Sequence, residues 1–418
     1  MMGTVHSSEQ NNNLELYLND VFEKECEFKI EQEELEFIQT GIETLVQNLV
    51  DQILAHDSFD KLISNFLTRG KHNILMEKHK ILVEVYFPIQ SYCAVQRYVA
   101  ENASCVKKVK STIIKVGSFY DGTRNSFPDE FDFIFPLLGV KNTCLPSYSN
   151  DLIYHVCKSI NVYGKFLCHT SLSEKIQVTR KLKFQTFMGI HGPAYKMQFI
   201  YSNGFREPRP IHVDLVPAFK INLDSNIQQL FFNIVRHNVE PKTFREETLS
   251  AGSCLYVRKQ FTFTEIEQHF MKNILSKKHV KVYRILKYLV NGHGDGEACE
   301  DHFGHVAWCY SSYHIKTLMI YHHDACTNTD TEDLGPCVLH VLQELSTYND
   351  PSQFPSLNGL QFGGSKKGSL LPDLKSTITY LHSMQTSKHS YNYEGDKIKS
   401  VSRQYLDRKT RRSCVISQ

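Results

Sequence analysis

Several features that would place this chain in a common class of protein are missing from its sequence. No run approaches about eighteen uninterrupted apolar residues, so no membrane span is expected. No N-terminal apolar segment resembles a signal peptide. The twelve cysteines contain no Cys-x-x-Cys pair and show no pairing rhythm, so we expect reduced thiols and a cytoplasmic location. The net charge is only +2, and any affinity for nucleic acid must therefore come from local basic patches.

The composition is that of a folded protein with a large interior. The chain has 418 residues, a mass of 48.3 kDa and 41% hydrophobic side chains, enough for one two-lobed core or two domains. Apolar residues recur at three- and four-residue steps from Glu31 to His56, which predicts an amphipathic helix. Strand-like runs fill 100–220 and a helical pattern fills Thr264–Leu345, so the sequence predicts an α+β protein.

The strongest chemical signal is a pair of carboxylates in an apolar strand. Glu130 and Asp132 belong to the run Glu-Phe-Asp-Phe-Ile-Phe, which follows a Gly117-Ser118 turn. Side chains two positions apart on a strand share one face, so both acids can reach the same cations. The alternative is an amphipathic strand with solvated acids, but the phenylalanines indicate burial, and buried unpaired carboxylates are costly. Carboxylates beside a phosphate-binding turn predict a two-metal site for nucleotidyl transfer.

A third acid for such a site is Asp214. It lies in the middle of the β-prone run Ile-His-Val-Asp-Leu-Val. Another strand-like run, 196–201, precedes it, and a loop with one glycine and two prolines separates the two runs. A hairpin there would bring Asp214 beside the strand that carries the first two acids.

Six motifs between about residues 115 and 340 resemble the family of cyclic GMP-AMP synthase and the animal synthase-like receptors. They are Gly117–Tyr120, Glu130–Asp132, Ile211–Asp214, Phe261–Glu267, Leu286–Leu289 and Ser311–Thr317. The motifs stand in the order and, for the first two, at the spacing of that family. The resemblance fades before residue 100 and after residue 360.

This resemblance implies an α+β, bilobal nucleotidyltransferase fold with a mixed catalytic sheet, a spine helix and a helical C-terminal lobe. On this interpretation residues 1–13 are a disordered N-terminus, 14–235 the nucleotidyltransferase lobe with its spine helix, 236–360 the helical lobe, and 361–418 a basic tail. Lys and Arg outnumber Asp and Glu by eleven to four across 361–418, a net charge of +7. That balance is typical of a tail for nucleic acid or an anionic membrane.

The resemblance also implies a role for each matched side chain. The three acids become the catalytic residues and the ligands of two Mg²⁺ or Mn²⁺ ions. The implied nucleotide contacts are Ser118, Gln260, Glu267, Lys287, Ser312, Tyr313 and Lys316. Lys287 and Lys316 would bind the triphosphate, and Tyr313 would stack on a base. Gln260 replaces a nucleotide-contacting arginine of the family and Val216 replaces a threonine, so base choice and linkage stay open.

The implied activity is synthesis of cyclic GMP-AMP from ATP and GTP in innate antiviral signalling, with a product that acts on a downstream receptor. The zinc ribbon of the DNA-sensing synthase is absent, because the interval 274–280 has no cysteine. Double-stranded RNA is therefore favoured over DNA as the activator, since RNA duplexes are recognised by shape and phosphates. The candidate RNA contacts are Lys272, Lys277, Lys278, Lys281 and Arg284.

Three alternatives stay open. The chain could be a catalytically silent scaffold of the same superfamily, or a nucleotidyltransferase with a different trigger or product. A second group of potential metal ligands also precedes the Ser311 motif, although a loop and helix start explains it better. Its members are His293, Cys299, His302, His305 and Cys309.

Overall fold

A computed structural model of the chain describes residues 13–55, 106–107, 112–140, 174–177, 179–191, 194–222, 241–257, 260–291, 312–327, 329, 331–348, 354–355, 357, 374–386 and 392. The predicted disordered range 1–13 lies outside them except for Asn13, which begins a helix. The cluster of five His and Cys residues between 293 and 309 also lies outside the described residues.

A mixed nine-stranded sheet positions the candidate site. Its strands are β1 (Val106–Lys107), β2 (Ile114–Val116), β3 (Glu130–Val140), β4 (Glu174–Gln177), β5 (Arg180–His191), β6 (Ala194–Ser202), β7 (Arg209–Asn222), β8 (Ser253–Val257) and β9 (Gln260–Thr262). The hydrogen-bonded order is β1-β3-β7-β6-β5-β4, with β2 also on β3, β8 on β7, and β9 on β8. β3 and β7 run parallel, whereas β6 and β7 form the antiparallel hairpin that the sequence predicted.

On the two central strands the acids lie on the face opposite the phenylalanines, and further along that face Ile134 and Ala218 are buried in a small apolar cluster. Phe131, Phe133 and Phe135 of β3 are fully buried, as are the alternate apolar residues of β7 from Ile211 to Leu215. Because strand side chains alternate in direction, the residues between them point to the opposite face of the sheet. Burial of the phenylalanines therefore fixes which way the acids of β3 point.

The described helices are α1 (Asn13–Val21), α2 (Gln32–Ala55), α3 (Gly117–Tyr120), α4 (Lys242–Ser250), α5 (Thr264–His269), α6 (Lys277–Asn291), α7 (Ser312–Ala325), α8 (Gly335–Thr347) and α9 (Leu374–Thr386). Two single π-helical turns, Phe22–Cys26 and Phe270–Ile274, follow α1 and α5. The helix predicted from Glu31 to His56 is confirmed, because α2 covers Gln32–Ala55.

Among the described residues, the helices pack on the sheet and on one another to make a large core, and a second, smaller apolar cluster lies around Ile134 and Leu255. α2 lies across β3 and β5. It approaches closely at Gly41, where a Cβ would meet Leu182 at 2.7 Å. α6, α7 and α8 pack together, and α1 and α9 pack on that group. α9 lies inside the range assigned to the basic tail, and its Leu381 is fully buried.

The observed architecture confirms the predicted α+β class. Strands dominate the described part of 100–220 and helices dominate the described part from Thr264 to Leu345, as the periodicity predicted. Among the described helices, none combines the length and the apolar character that a bilayer crossing requires.

Candidate metal and nucleotide site

Two adjacent parallel strands bring the three predicted acids together. Asp132 of β3 lies directly opposite Asp214 of β7 in the strand register, and Glu130 lies opposite His212. The three carboxylates can each offer an oxygen, and these oxygens all lie within 4.8 Å of one another. All three side chains are half-buried. The prediction that the three acids converge is confirmed by this geometry.

The close carboxylates change one another's protonation. Burial raises the pKa of Asp132 well above its ordinary value, and the neighbouring charges of Glu130 and Asp214 raise it further. Three converging carboxylates repel one another unless a cation lies between them. Hard divalent ions such as Mg²⁺ and Mn²⁺ take carboxylate oxygens as ligands, so this set of donors fits them.

The Gly117-Ser118 turn lies directly against Asp132. β2 pairs with β3 so that Val116 stands opposite Asp132, and Gly117 follows with a φ of +83°. A Cβ at Gly117 would lie 1.9 Å from Oδ2 of Asp132. Only glycine therefore permits this contact, because it combines a left-handed backbone with the absence of a side chain.

Helix α2 holds both ends of this turn. Glu43 accepts a hydrogen bond from the Lys115 ammonium at 2.7 Å and another from the Tyr120 hydroxyl at 3.0 Å. Lys115 precedes the turn and Tyr120 ends α3. Any displacement of α2 would therefore be transmitted to the residues on either side of Ser118.

Sequence reasoning missed Arg124, which contacts Glu130 directly. Its buried guanidinium donates to Oε2 of Glu130 at 2.7 Å and also pairs with Asp129. Burial alone would raise the pKa of Glu130, but the combined effect of Arg124, Lys196 and Lys287 outweighs burial and lowers that pKa. Glu130 is therefore held as a carboxylate. The signal in the sequence was weak, since Arg124 lies in a loop and belongs to none of the matched motifs.

A second cation missed by sequence reasoning is Lys196. It lies on β6 opposite Asp214 and is half-buried on the same sheet. Its charge contributes to lowering the pKa of Glu130. Lys196 therefore adds positive potential beside the acids.

The two predicted triphosphate lysines converge on the loop that links α3 to β3. Lys287 of α6 donates to the carbonyl oxygen of Thr123 at 3.1 Å. Lys316 of α7 forms an ion pair with Asp121 at 3.0 Å and lies 3.7 Å from Glu267. Both lysines are buried. They thus approach one loop from two helices.

The two lysines differ in pKa because their charged neighbours differ. Burial lowers the pKa of Lys287 to about 7, and the nearby Arg124 lowers it as well. Burial would also lower the pKa of Lys316, but Asp121 and Glu267 outweigh it and raise the value. Lys316 is therefore a permanent cation, whereas Lys287 can gain a proton near neutral pH.

The other predicted nucleotide residues named here lie on α3, α7 and β9. Ser118 accepts a backbone hydrogen bond from Thr123 at 2.9 Å, which closes the turn. Ser312 begins α7, and its carbonyl oxygen accepts from Tyr283 at 3.1 Å. Tyr313 is half-buried, and Glu267 raises its pKa in addition to the effect of burial. Gln260 begins β9.

The five predicted RNA contacts separate into three environments. Lys272 and Lys277 are exposed. Lys281 and Arg284 lie over the Phe22 ring at 4.8 Å and 4.9 Å and are partly exposed. Lys278 is only 7% exposed, and its ammonium donates to Thr331 at 3.0 Å. Its charge therefore points into the protein and away from the surface that a duplex could reach.

Comparison with protein-family models found no match for this chain.

Proposed function

We propose that this protein is a metal-dependent nucleotidyltransferase. The observation that carries the proposal is the meeting of Glu130, Asp132 and Asp214 within 4.8 Å on two parallel strands. The Gly117-Ser118 turn against Asp132 and the two buried lysines above the same loop support it. In this proposal the sheet with α2 and the group α6–α8 correspond to the two lobes of a nucleotidyltransferase fold.

Each part of the proposed site has a separate task. Glu130, Asp132 and Asp214 would hold two divalent cations, and Asp214 would also orient or deprotonate the attacking ribose hydroxyl. Such cations lower the pKa of a bound hydroxyl and neutralise charge on the departing pyrophosphate. The turn at Ser118 and the ammonium groups of Lys287 and Lys316 bind the triphosphate. The two lysines contact the loop, so a bound nucleotide would exchange those contacts for its phosphates.

The substrate and product follow from the motif resemblance. We propose ATP and GTP as substrates and a cyclic GMP-AMP as the product, which then acts on a signalling receptor. Tyr313 would stack on a base, because it stands in the Ser-Ser-Tyr-His-Ile-Lys-Thr motif. The linear dinucleotide formed first would turn over in the pocket before the second transfer closes the ring.

Double-stranded RNA is the proposed activator. Lys272 and Lys277 are exposed near the start of α6, where they can reach duplex phosphates. Lys281 and Arg284 extend this basic surface towards Phe22, close to α2 in sequence. A duplex that shifts α2 would move Glu43 and thus the turn at Ser118. This connection gives a route from the activator to the metal site.

The proposal is tested by incubating the full chain with radiolabelled ATP and GTP in Mg²⁺ or Mn²⁺, with no duplex, with RNA duplex or with DNA duplex. We expect a cyclic product that depends on metal and on RNA, and no product from Asp132→Asn. Glu174→Gln is the matched control, because it removes one carboxylate from the same sheet at a position on edge strand β4. It should retain activity.

The other outcomes separate the alternatives. A product without any duplex would indicate a constitutive enzyme, and a linear product would indicate a different reaction. No product under any condition, together with no binding of Mn²⁺, would overturn the proposal and leave a silent scaffold.

A further inference from the structure

A second group of potential metal ligands lies among the helices, away from the acids. His279 is near the start of α6, His322 is in the last turn of α7, Cys326 follows α7, and Cys337 is near the start of α8. One nitrogen or sulfur of each lies within 4.8 Å of the others. His279, His322 and Cys337 are buried, and Cys326 is half-buried.

The two imidazoles are oriented by neighbours outside the group. Nδ1 of His279 lies 2.8 Å from Nδ1 of His323, and Nδ1 of His322 lies 2.9 Å from Nδ1 of His340. Each contact joins a donor to an acceptor, so the ligand histidine can carry its proton on Nδ1 and keep the Nε2 lone pair for a metal. Metal-binding histidines usually have such a partner for their other ring nitrogen.

Among the described residues, the inner nitrogens have no good hydrogen-bond partner. Nε2 of His322 is buried and makes no hydrogen bond. Nε2 of His279 has only the sulfur of Cys337, at 3.7 Å. Burying a polar nitrogen without a partner costs free energy, and a folded protein generally avoids this. A cation at the centre would satisfy both nitrogens.

We infer that His279, His322, Cys326 and Cys337 form a structural zinc site. Two thiolates and two neutral imidazoles are a closed tetrahedral set for Zn²⁺, with no position left for a substrate. Binding would release the two thiol protons, and the thiolates would then balance the charge of the ion. Sulfur ligands exclude Mg²⁺, which distinguishes this site from the acid cluster.

The position of the site suggests what the zinc does. It would join one end of each of α6, α7 and α8, the helices that pack together in this half of the protein. α6 carries Lys287 and α7 carries Lys316. At 1.5 Å per residue, the ligand histidines lie about 10 Å along the same helices from these lysines. Zinc would thus fix the relative placement of the two lysines, whatever reaction they serve.

The test is the zinc content of the purified full chain, measured by mass spectrometry after dialysis without chelator. We expect close to one zinc per chain in the wild type and in Cys254→Ser, which removes a buried thiol from β8. Cys337→Ser should lose the metal. Two control variants should retain the zinc. The double variant Cys299→Ser/Cys309→Ser alters the His and Cys group between 293 and 309, and Asp132→Asn alters the acid cluster.

Two further measurements keep the inference testable if Cys337→Ser fails to fold. Cobalt(II) should replace zinc in the wild type and give the intense visible bands of a tetrahedral sulfur-ligated ion. His340→Ala, which alters only a supporting residue, should weaken zinc binding by roughly tenfold or more. A wild-type chain that takes up no zinc or cobalt, or that contains a Cys326–Cys337 disulfide when isolated under reducing conditions, would overturn the inference.

Discussion

Gly117→Ala should damage the metal site more than any other exchange of glycine for alanine in the described part of the chain. A Cβ at this position would lie 1.9 Å from Oδ2 of Asp132, whereas real Cβ contacts essentially never fall under 3.0 Å. The carboxylate or the turn must therefore move by at least about 1 Å. The φ of +83° adds a separate backbone cost of about 1–2 kcal/mol for any residue with a Cβ.

Gly122→Ala separates these two effects. Gly122 has a φ of +71°, but a Cβ there meets nothing within 4 Å. Gly122→Ala should lower the free energy of unfolding only by the backbone cost of about 1–2 kcal/mol. Gly117→Ala should lower the free energy of unfolding by that amount plus the cost of displacing Asp132, about 2–4 kcal/mol in total. A displacement of about 1 Å at reacting groups can also reduce turnover on the order of a hundredfold.

Three quantities are measured for each variant: the denaturant midpoint of unfolding with a metal chelator present, the affinity for Mn²⁺, and the yield of nucleotide product. We expect Gly122→Ala to bind Mn²⁺ like the wild type and Gly117→Ala to bind it weakly or not at all. Equal stability of the two variants, combined with unchanged Mn²⁺ binding by Gly117→Ala, would refute the contact between the turn and Asp132.

Three more predictions concern charges at the site. Asp132→Asn should raise the denaturant midpoint of unfolding, measured near neutral pH with a metal chelator present. Folding raises the pKa of Asp132, so the folded state is most stable when this group is protonated and loses stability as the pH rises through the raised pKa. Asparagine stays neutral and avoids that loss. Added Mn²⁺ should stabilise the wild type against denaturant but not Asp132→Asn. Equal stabilisation of the wild type and the variant would contradict this. Arg124→Met should cost about 2 kcal/mol in a denaturant titration, since it leaves two partly exposed acids unpaired. Arg180→Met breaks only an exposed pair and should cost less than about 1 kcal/mol. Lys287, with a pKa of about 7, should take up a proton when a triphosphate binds at higher pH, so affinity should fall as pH rises from about 7 to about 9. Titration calorimetry in two buffers measures that uptake, and Lys287→Arg should abolish it; uptake that persists in the variant would assign the proton to another group.

The acid cluster could be predicted because it depends on local periodicity. Alternation along β3 separates the phenylalanines from Glu130 and Asp132, and turn residues before β7 indicate the hairpin that carries Asp214. The sequence did not determine which strand pairs with β3 beside the acids, or whether that pairing is parallel or antiparallel. The parallel pairing that places Asp132 opposite Asp214 is a property of the whole sheet.

The basic surface shows where local reasoning fails. Lys277 and Lys278 are neighbours in sequence, and the charge pattern gave both the same role. One residue on a helix is a rotation of about 100°, and this rotation leaves Lys277 exposed while Lys278 is buried against Thr331. Arg124 was missed for a related reason, because a loop has no period from which its direction could be inferred.

The sequence by itself determined the α+β class, the long helix α2 and the three acids, since each follows from the spacing of apolar and polar residues along one element. Tertiary structure decided which distant residues meet. It brought His279, His322, Cys326 and Cys337 together from three helices, and Lys287 and Lys316 to one loop. Such contacts depend on how helices pack across the core, and packing is set by the combined shape of many buried side chains rather than by any local pattern.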